Sequence, residues 1–141
     1  LVHLKKDILV CPCDMPLLDR SIFYFLQSNA DYSKINVLTY NEKVFPTLGI
    51  YPYAFVAQLQ NYITQNKLKM LTILEELGAK KHSYPIYSNS QQYFANINTP
   101  EDWTTLLKNK YITMAQLLQY TTLIDTLSKY YYIINQGDSF L

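Results

Sequence analysis

Glycine is scarce in this chain of 141 residues, occurring only at Gly49, Gly78 and Gly137. Three so widely spaced cannot form a glycine-rich loop of the kind that cradles phosphates with backbone N–H groups. Arginine is scarcer still: Arg20 is the only one among twelve basic residues, which excludes a phosphate clamp made of several guanidinium forks. The two cysteines, Cys11 and Cys13, share a face of an extended strand but sit too far apart for an ordinary disulfide, and two are too few for a zinc site. Both are expected to be buried small hydrophobes in a reducing compartment. A net charge of +1 gives no electrostatic reason for a nucleic-acid or membrane-surface partner. No apolar run approaches the ~20 residues of a membrane span, and no signal-peptide pattern opens the chain. A cytoplasmic location is therefore expected, with neither nucleic acid nor membrane among the partners. The first residue is Leu1, and the sequence reads as a fragment or as the ordered part of something longer. His3 and His82 have no ligand-spaced partner and are expected to be structural or surface residues.

What is present is apolar: 49% hydrophobic against 16% charged, enough for one domain with a real core. The stretch Ile8 to Leu18, I-L-V-C-P-C-D-M-P-L-L, organises the reading. Its first half is a continuous apolar run, as a strand buried on both faces should be. Pro16 cannot continue a central strand, having no backbone donor. The expectation is a buried parallel strand, Asp7 to Cys13, ending in a sharp turn that carries Asp14. Ligands of open α/β sheets bind beyond the carboxyl ends of strands, where a lone acid suits a divalent cation or a phosphate-bearing substrate. Helix capping by Asp14 is the alternative.

Helices are expected over Leu18 to Asn29, Tyr53 to Gln65 and Met70 to Leu77, the last closed by Gly78 at a left-handed cap position. The stripe of the second is Phe55, Val56, Leu59, Tyr62 and Ile63. Ile35 to Tyr40 reads as a strand. Phe45 to Tyr51 is extended but interrupted by Pro46 and Gly49, which points to an edge, a bulge or a close backbone approach. His82 to Tyr87 could form a short strand and Ser88 to Gln92 a loop. A strand is expected to end at Asn98. Thr99 then caps a helix from Pro100 to Lys108, with Pro100 in the first helical position and Asp102 completing a capping box. Asn96 and Asn98 would share one side of that strand end, placed either to orient a ligand or to bond loop backbone. Beyond, Leu117, Tyr120, Ile124, Leu127, Tyr131 and Ile134 predict one amphipathic helix over 114–134, docked on its own domain or used for self-association or a protein partner. Strands alternating with helices predict a three-layer α/β domain with a mainly parallel sheet.

Three segments carry a resemblance: C-D-M-P-L-L at Cys13 to Leu18, F-P-T-L-G-I-Y at Phe45 to Tyr51, and F-A-N-I-N-T-P-E-D-W at Phe94 to Trp103. In that order they resemble the central and C-terminal motifs of the molybdenum cofactor guanylyltransferases. The last is the most specific, whereas the first is shared more widely among small-molecule nucleotidyltransferases. The resemblance covers about Asp7 to Lys108. It implies residues 1–108 as the central and C-terminal part of a Rossmann-like nucleotidyltransferase domain, and 109–141 as a helical extension. The activity it implies is transfer of GMP from GTP to the phosphate of molybdopterin, with release of pyrophosphate and with magnesium.

Residue by residue, the resemblance makes Asp14 the metal-binding and catalytic carboxylate. It gives Asn96 and Asn98 the two asparagines of the N-x-N-T-P motif on the pterin side, and gives Pro46 and Gly49 the floor of the substrate pocket. Phe45 stands where histidine is common, and Trp103 replaces a usual leucine. The family's glycine-rich L-A-G-G-x-S-x-R-M-G-x-D-K signature, which grips the guanine nucleotide, has no match here. The domain is thus expected to lack its N-terminal part. A related cytidylyltransferase, or a non-catalytic remnant that binds a partner through the last helix, are the alternatives.

Overall fold

The computed structural model describes residues 5–88 and 90–108, apart from the side chain of Leu107. Residues 109–141, including the helix expected over 114–134, lie outside the described residues. The chain divides into two compact units, Leu1–Ala95 and Asn96–Leu141. The boundary drawn at residue 108 from sequence falls where description ends.

The first unit is a mixed α/β arrangement around one sheet of four strands. β1 (Ile8–Val10), β2 (Asn36–Tyr40), β3 (Lys43–Tyr51) and β4 (Lys80–Ser83) lie in the order β1-β3-β2-β4. β3 is antiparallel to both β1 and β2, and only β2 and β4 run parallel. The expectation of a mainly parallel sheet is therefore corrected. The cause is local: β2 and β3 are joined by Asn41 and Glu42 alone, both with positive φ (48° and 64°), as a two-residue hairpin with the favoured twist requires. Parallel neighbours would need a crossover of a dozen residues or more. Glu42 has no compensation for its left-handed backbone of the kind glycine offers. Glu42→Gly is expected to stabilise the fold by about 1 kcal/mol, readable as a higher urea midpoint with unchanged slope. An unaltered or lower midpoint would count against the hairpin strain.

β1 is also shorter and less buried than its apolar run suggests. It spans three residues, pairs with β3 alone among the described residues, and leaves Leu9 42% exposed. Cys11 and Cys13, expected inside, are exposed thiols, because the strand that should carry them inward has already ended. Burial and the neighbouring Cys13 push the Cys11 thiol up from its ordinary pKa.

β3 shows why Pro46 and Gly49 are where they are. Val37 pairs with Gly49 but Leu38 pairs with Phe45, so Pro46, Thr47 and Leu48 bulge out of the ladder. Pro46 therefore forfeits no ladder hydrogen bond, and its carbonyl accepts from the Tyr51 hydroxyl. The sequence reading of a bulge or a close approach holds at both positions, on a central strand.

α1 (Arg20–Asn29) buries Ile22 and Leu26 completely, in a cluster with Met15, Leu38, Leu48, Tyr84 and Phe94. α2 (Val56–Thr64), preceded by a 3-10 turn, and α3 (Met70–Glu76) attend a second cluster, where Leu74 meets Ile35, Val37 and Tyr51. Val37 and Leu38 fall in different clusters, as alternation along β2 demands. The expected stripe of α2 is only partly used: Phe55 and Leu59 pack, while Ile63 faces water. Gly78 takes φ +64° after α3, the expected cap conformation. Between the clusters, fully buried Asn36 donates to the carbonyls of Asp31 and Lys34. Its Oδ1 lies 2.9 Å from His82 Nε2 and accepts from the Asp31 N–H. His82 is thus structural, and burial holds its pKa below the usual value.

The strand expected to end at Asn98 is absent. Ser90–Phe94 form a 3-10 turn, and 95–98 have no regular structure. Buried Ser90 explains the turn: its hydroxyl donates to the Tyr87 carbonyl and accepts from the Tyr87 N–H, a local alternative to a sheet ladder. α4 (Pro100–Lys108) begins where the capping box places it. The Asp102 N–H donates to Thr99 Oγ1, and Asp102 Oδ2 accepts from the N–H groups of Asn98 and Thr99. Those bonds hold the Asp102 carboxyl below its ordinary pKa.

Candidate functional site

Asp14 lies in the turn that follows β1, half-exposed, with its neighbour Met15 buried in the α1 cluster. It is not the cap of α1. That role belongs to Asp19, whose Oδ1 accepts from the Ser21 N–H at 2.8 Å. The same bonds lower the Asp19 carboxyl's pKa. The alternative in which Asp14 merely caps the helix is therefore set aside.

Ser21, in the first turn of α1, borders a cleft in the first unit. This cleft, of about 590 Å³, lies between α1 and the segment that follows β4. The Tyr84 N–H donates to the Thr39 carbonyl, extending the β2–β4 ladder by one rung, so the cleft sits at the carboxyl ends of the two parallel strands. Phe25, Tyr84, Tyr87 and Tyr93 line it, together with Ser21, Ser88 and Ser90. Phe25 meets Tyr84 edge to face at 5.2 Å, and Tyr87 meets Tyr84 likewise at 6.2 Å. Ser21 Oγ and the Tyr84 hydroxyl share a hydrogen bond of 3.1 Å. Ser90 Oγ lies 3.1 Å from the Tyr40 hydroxyl, which ties the segment to the end of β2. None of these residues was singled out from sequence. The available signal was the pair Tyr84 and Tyr87 flanking Pro85, just where a strand must stop.

Pro46 and Gly49 are not among the residues lining this cleft. A Cβ on Gly49 would stand 2.4 Å from the Asn36 carbonyl oxygen and 3.1 Å from Val37 Cγ1. The contribution of Gly49 on view is thus the close packing of β3 on β2. Asn96 and Asn98 are exposed on either side of half-buried Ile97, in a segment without the strand expected to carry them. They belong to the second unit and Asp14 to the first.

No family model matches the chain. Curated proteins do. A probable molybdenum cofactor guanylyltransferase of Carboxydothermus hydrogenoformans is 27% identical over 110 residues, 76% of this chain and 56% of that protein. One of Bacillus velezensis is 34% identical over 102 residues, 70% of this chain and 50% of that protein. The chain thus spans about half the length of the curated relatives it matches. Among solved structures, molybdopterin-guanine dinucleotide biosynthesis protein A of Archaeoglobus fulgidus superposes with a TM-score of 0.59 at 21% identity, over 74% of this chain and 55% of that one. A protein of Aquifex aeolicus also gives 0.59, at 18% identity over 67% and 49%. These two likenesses bear on fold, and they agree with the mixed α/β architecture. By sequence, the chain is similar to proteins named probable molybdenum cofactor guanylyltransferases over some three quarters of its own length.

Proposed function

We propose that the native protein carrying this chain transfers GMP from GTP to the phosphate of molybdopterin, releasing pyrophosphate, and that this chain supplies Asp14, Asn96 and Asn98 to the reaction. On this reading the sheet and its helices belong to a three-layer Rossmann-like domain of the cytoplasm. The observation that carries the proposal is the 34% identity over 102 residues with a protein named for that activity. Asp14, at the carboxyl end of a strand and within reach of solvent, agrees with it.

Magnesium fits the residues at hand. It keeps most of its waters and commonly takes one or two carboxylates beside phosphate oxygens. A single Asp14 would therefore suffice as the protein's anchor. When bound there, magnesium would neutralise charge developing on the phosphates. Asp14 itself places one negative charge at a fixed position, and Asn96 and Asn98 offer amides that orient substrate oxygen or nitrogen atoms. Transfer at phosphorus needs such positioning more than covalent help.

The direct experiment is to incubate the native protein with GTP, molybdopterin and magnesium and look for the guanine dinucleotide. Product from CTP in its place would mean a cytidylyltransferase, and no product from either would sink the proposal. Asn96→Ala and Asn98→Ala, both at exposed positions, should keep the melting temperature within a few degrees, since surface changes usually cost under ~0.5 kcal/mol. Activity should nevertheless fall clearly. Early unfolding of both variants would instead assign the amides to loop structure.

A further inference from the structure

We infer that Cys11 and Cys13 form a binding site for a soft metal ion that takes two sulfur ligands, copper(I). Free cysteine is among the most buried residue types in folded proteins, yet both of these thiols are exposed. Two of them on one short segment outside the core need a reason that packing does not supply.

The backbone supplies the geometry. β1 ends at Val10, the chain runs on without regular structure through Cys11 and Pro12, and it turns at Cys13 and Asp14. Burial alternates along it, with Pro12 half-buried between the two exposed cysteines, so the thiols share one side of the chain. Residues two apart on an extended chain are ~6.6 Å apart. A disulfide needs its Cβ atoms drawn in to ~3.8 Å, which that spacing resists. A metal ion asks for less, because two metal–thiolate bonds of ~2.3 Å set the sulfurs ~4.6 Å apart. The spacing that disfavours a disulfide suits a bridging ion.

The segment is also held at both ends. Val10 is paired with Gly49 on β3, and Met15 is buried in the α1 cluster. Pro12 has its φ fixed at about −65° by its ring. A pair so placed loses little freedom in taking up an ion. Cys11 gives up little else, since its Sγ donates to the Pro12 carbonyl at 3.5 Å, and a thiol is a weak donor.

The donors select the ion. Thiolates are soft ligands, and copper(I) is a soft ion that two of them satisfy. Zinc asks for four ligands, and among the described residues no third His, Cys, Asp or Glu is gathered with the pair. Asp14 is a hard oxygen donor, suited to magnesium rather than copper. Burial first, and then the neighbouring Cys13, push the Cys11 thiol up from its ordinary pKa. A cation between the sulfurs turns the second of these effects from repulsion to attraction, and both thiol protons leave to solvent as it binds.

The test titrates the reduced full chain, without oxygen, against copper(I) held by bicinchoninate, whose visible absorbance falls as the protein takes the metal. One ion per chain is expected. Cys11→Ser and Cys13→Ser should each weaken uptake ~10²-fold or more, since removing one arm of a chelate forfeits the effective concentration of the other. In the unsubstituted chain, one equivalent of copper(I) should shield both thiols from iodoacetamide together, a readout that needs no variant to fold. No uptake overturns the inference. So does weakening by only one of the two substitutions, shielding of one thiol alone, or displacement by an equal concentration of zinc. The assay contains no nucleotide, so its outcome is independent of the proposed guanylyl transfer.

Discussion

Asp14→Asn is expected to lower guanylyl transfer in the native protein by at least ~10²-fold, about 2.7 kcal/mol of transition-state stabilisation. Asparagine keeps the size of the side chain and one of its oxygens. What it removes is the negative charge that, on the proposed function, would hold a divalent cation in the turn after β1. Because Asp19 and not Asp14 caps α1, the substitution should leave the helix start intact and the melting temperature close to the parent's. The decisive measurement is rate against magnesium concentration. A variant that regains near-normal turnover at saturating magnesium would show that Asp14 only strengthens metal binding, and the assignment to the transition state would be wrong.

Gly49→Ala should be the most damaging small change in the fold. The added Cβ would stand 2.4 Å from a backbone oxygen of β2, and backbone in the middle of a sheet cannot move aside as the end of a flexible side chain can. Relief requires β2 and β3 to part where Asn36 is fully buried and bonded to Asp31, Lys34 and His82. We expect a loss of about 3 kcal/mol or more, the upper range of overpacking, and a melting temperature lower by ~10 °C. Gly78→Ala is the instructive contrast. There the space around a new Cβ is open and only the left-handed backbone is strained, at a cost of about 1 kcal/mol. If the two variants melted alike, crowding at Gly49 would not be the reason glycine stands there.

How far the sequence could be read depended on whether a signal was local. Thr99, Pro100 and Asp102 announced α4 correctly because a capping box is completed within four residues. Pro46 and Gly49 were legible as a bulge or a close approach because each residue type has few uses inside a strand. The direction of the sheet was not legible. It hangs on Asn41 and Glu42 adopting positive φ, and glutamate is not a residue that advertises a tight hairpin. The burial of β1 was misread for another reason. An apolar run reports the chemistry of its side chains but not how many neighbours the strand will have. The cleft escaped because its parts come from α1 and from beyond β4, more than sixty positions apart at the Ser21–Tyr84 bond. Each tyrosine taken singly looks like core. Asp14, Asn96 and Asn98 stood out by their places at expected strand ends, whereas the separate roles expected of them came only from the resemblance to a family.

The two rims of the sheet are chemically unequal. On β4 the outermost strand carries exposed Lys80 and Lys81, charges of the kind that keep a foreign strand from zipping alongside. On β1 the outer strand, among the described residues, is Ile8, Leu9 and Val10, without a charge of its own, with exposed Lys5, Lys6 and Asp7 just before it and Pro12 just past its end. Self-association through backbone pairing would therefore begin on the β1 rim.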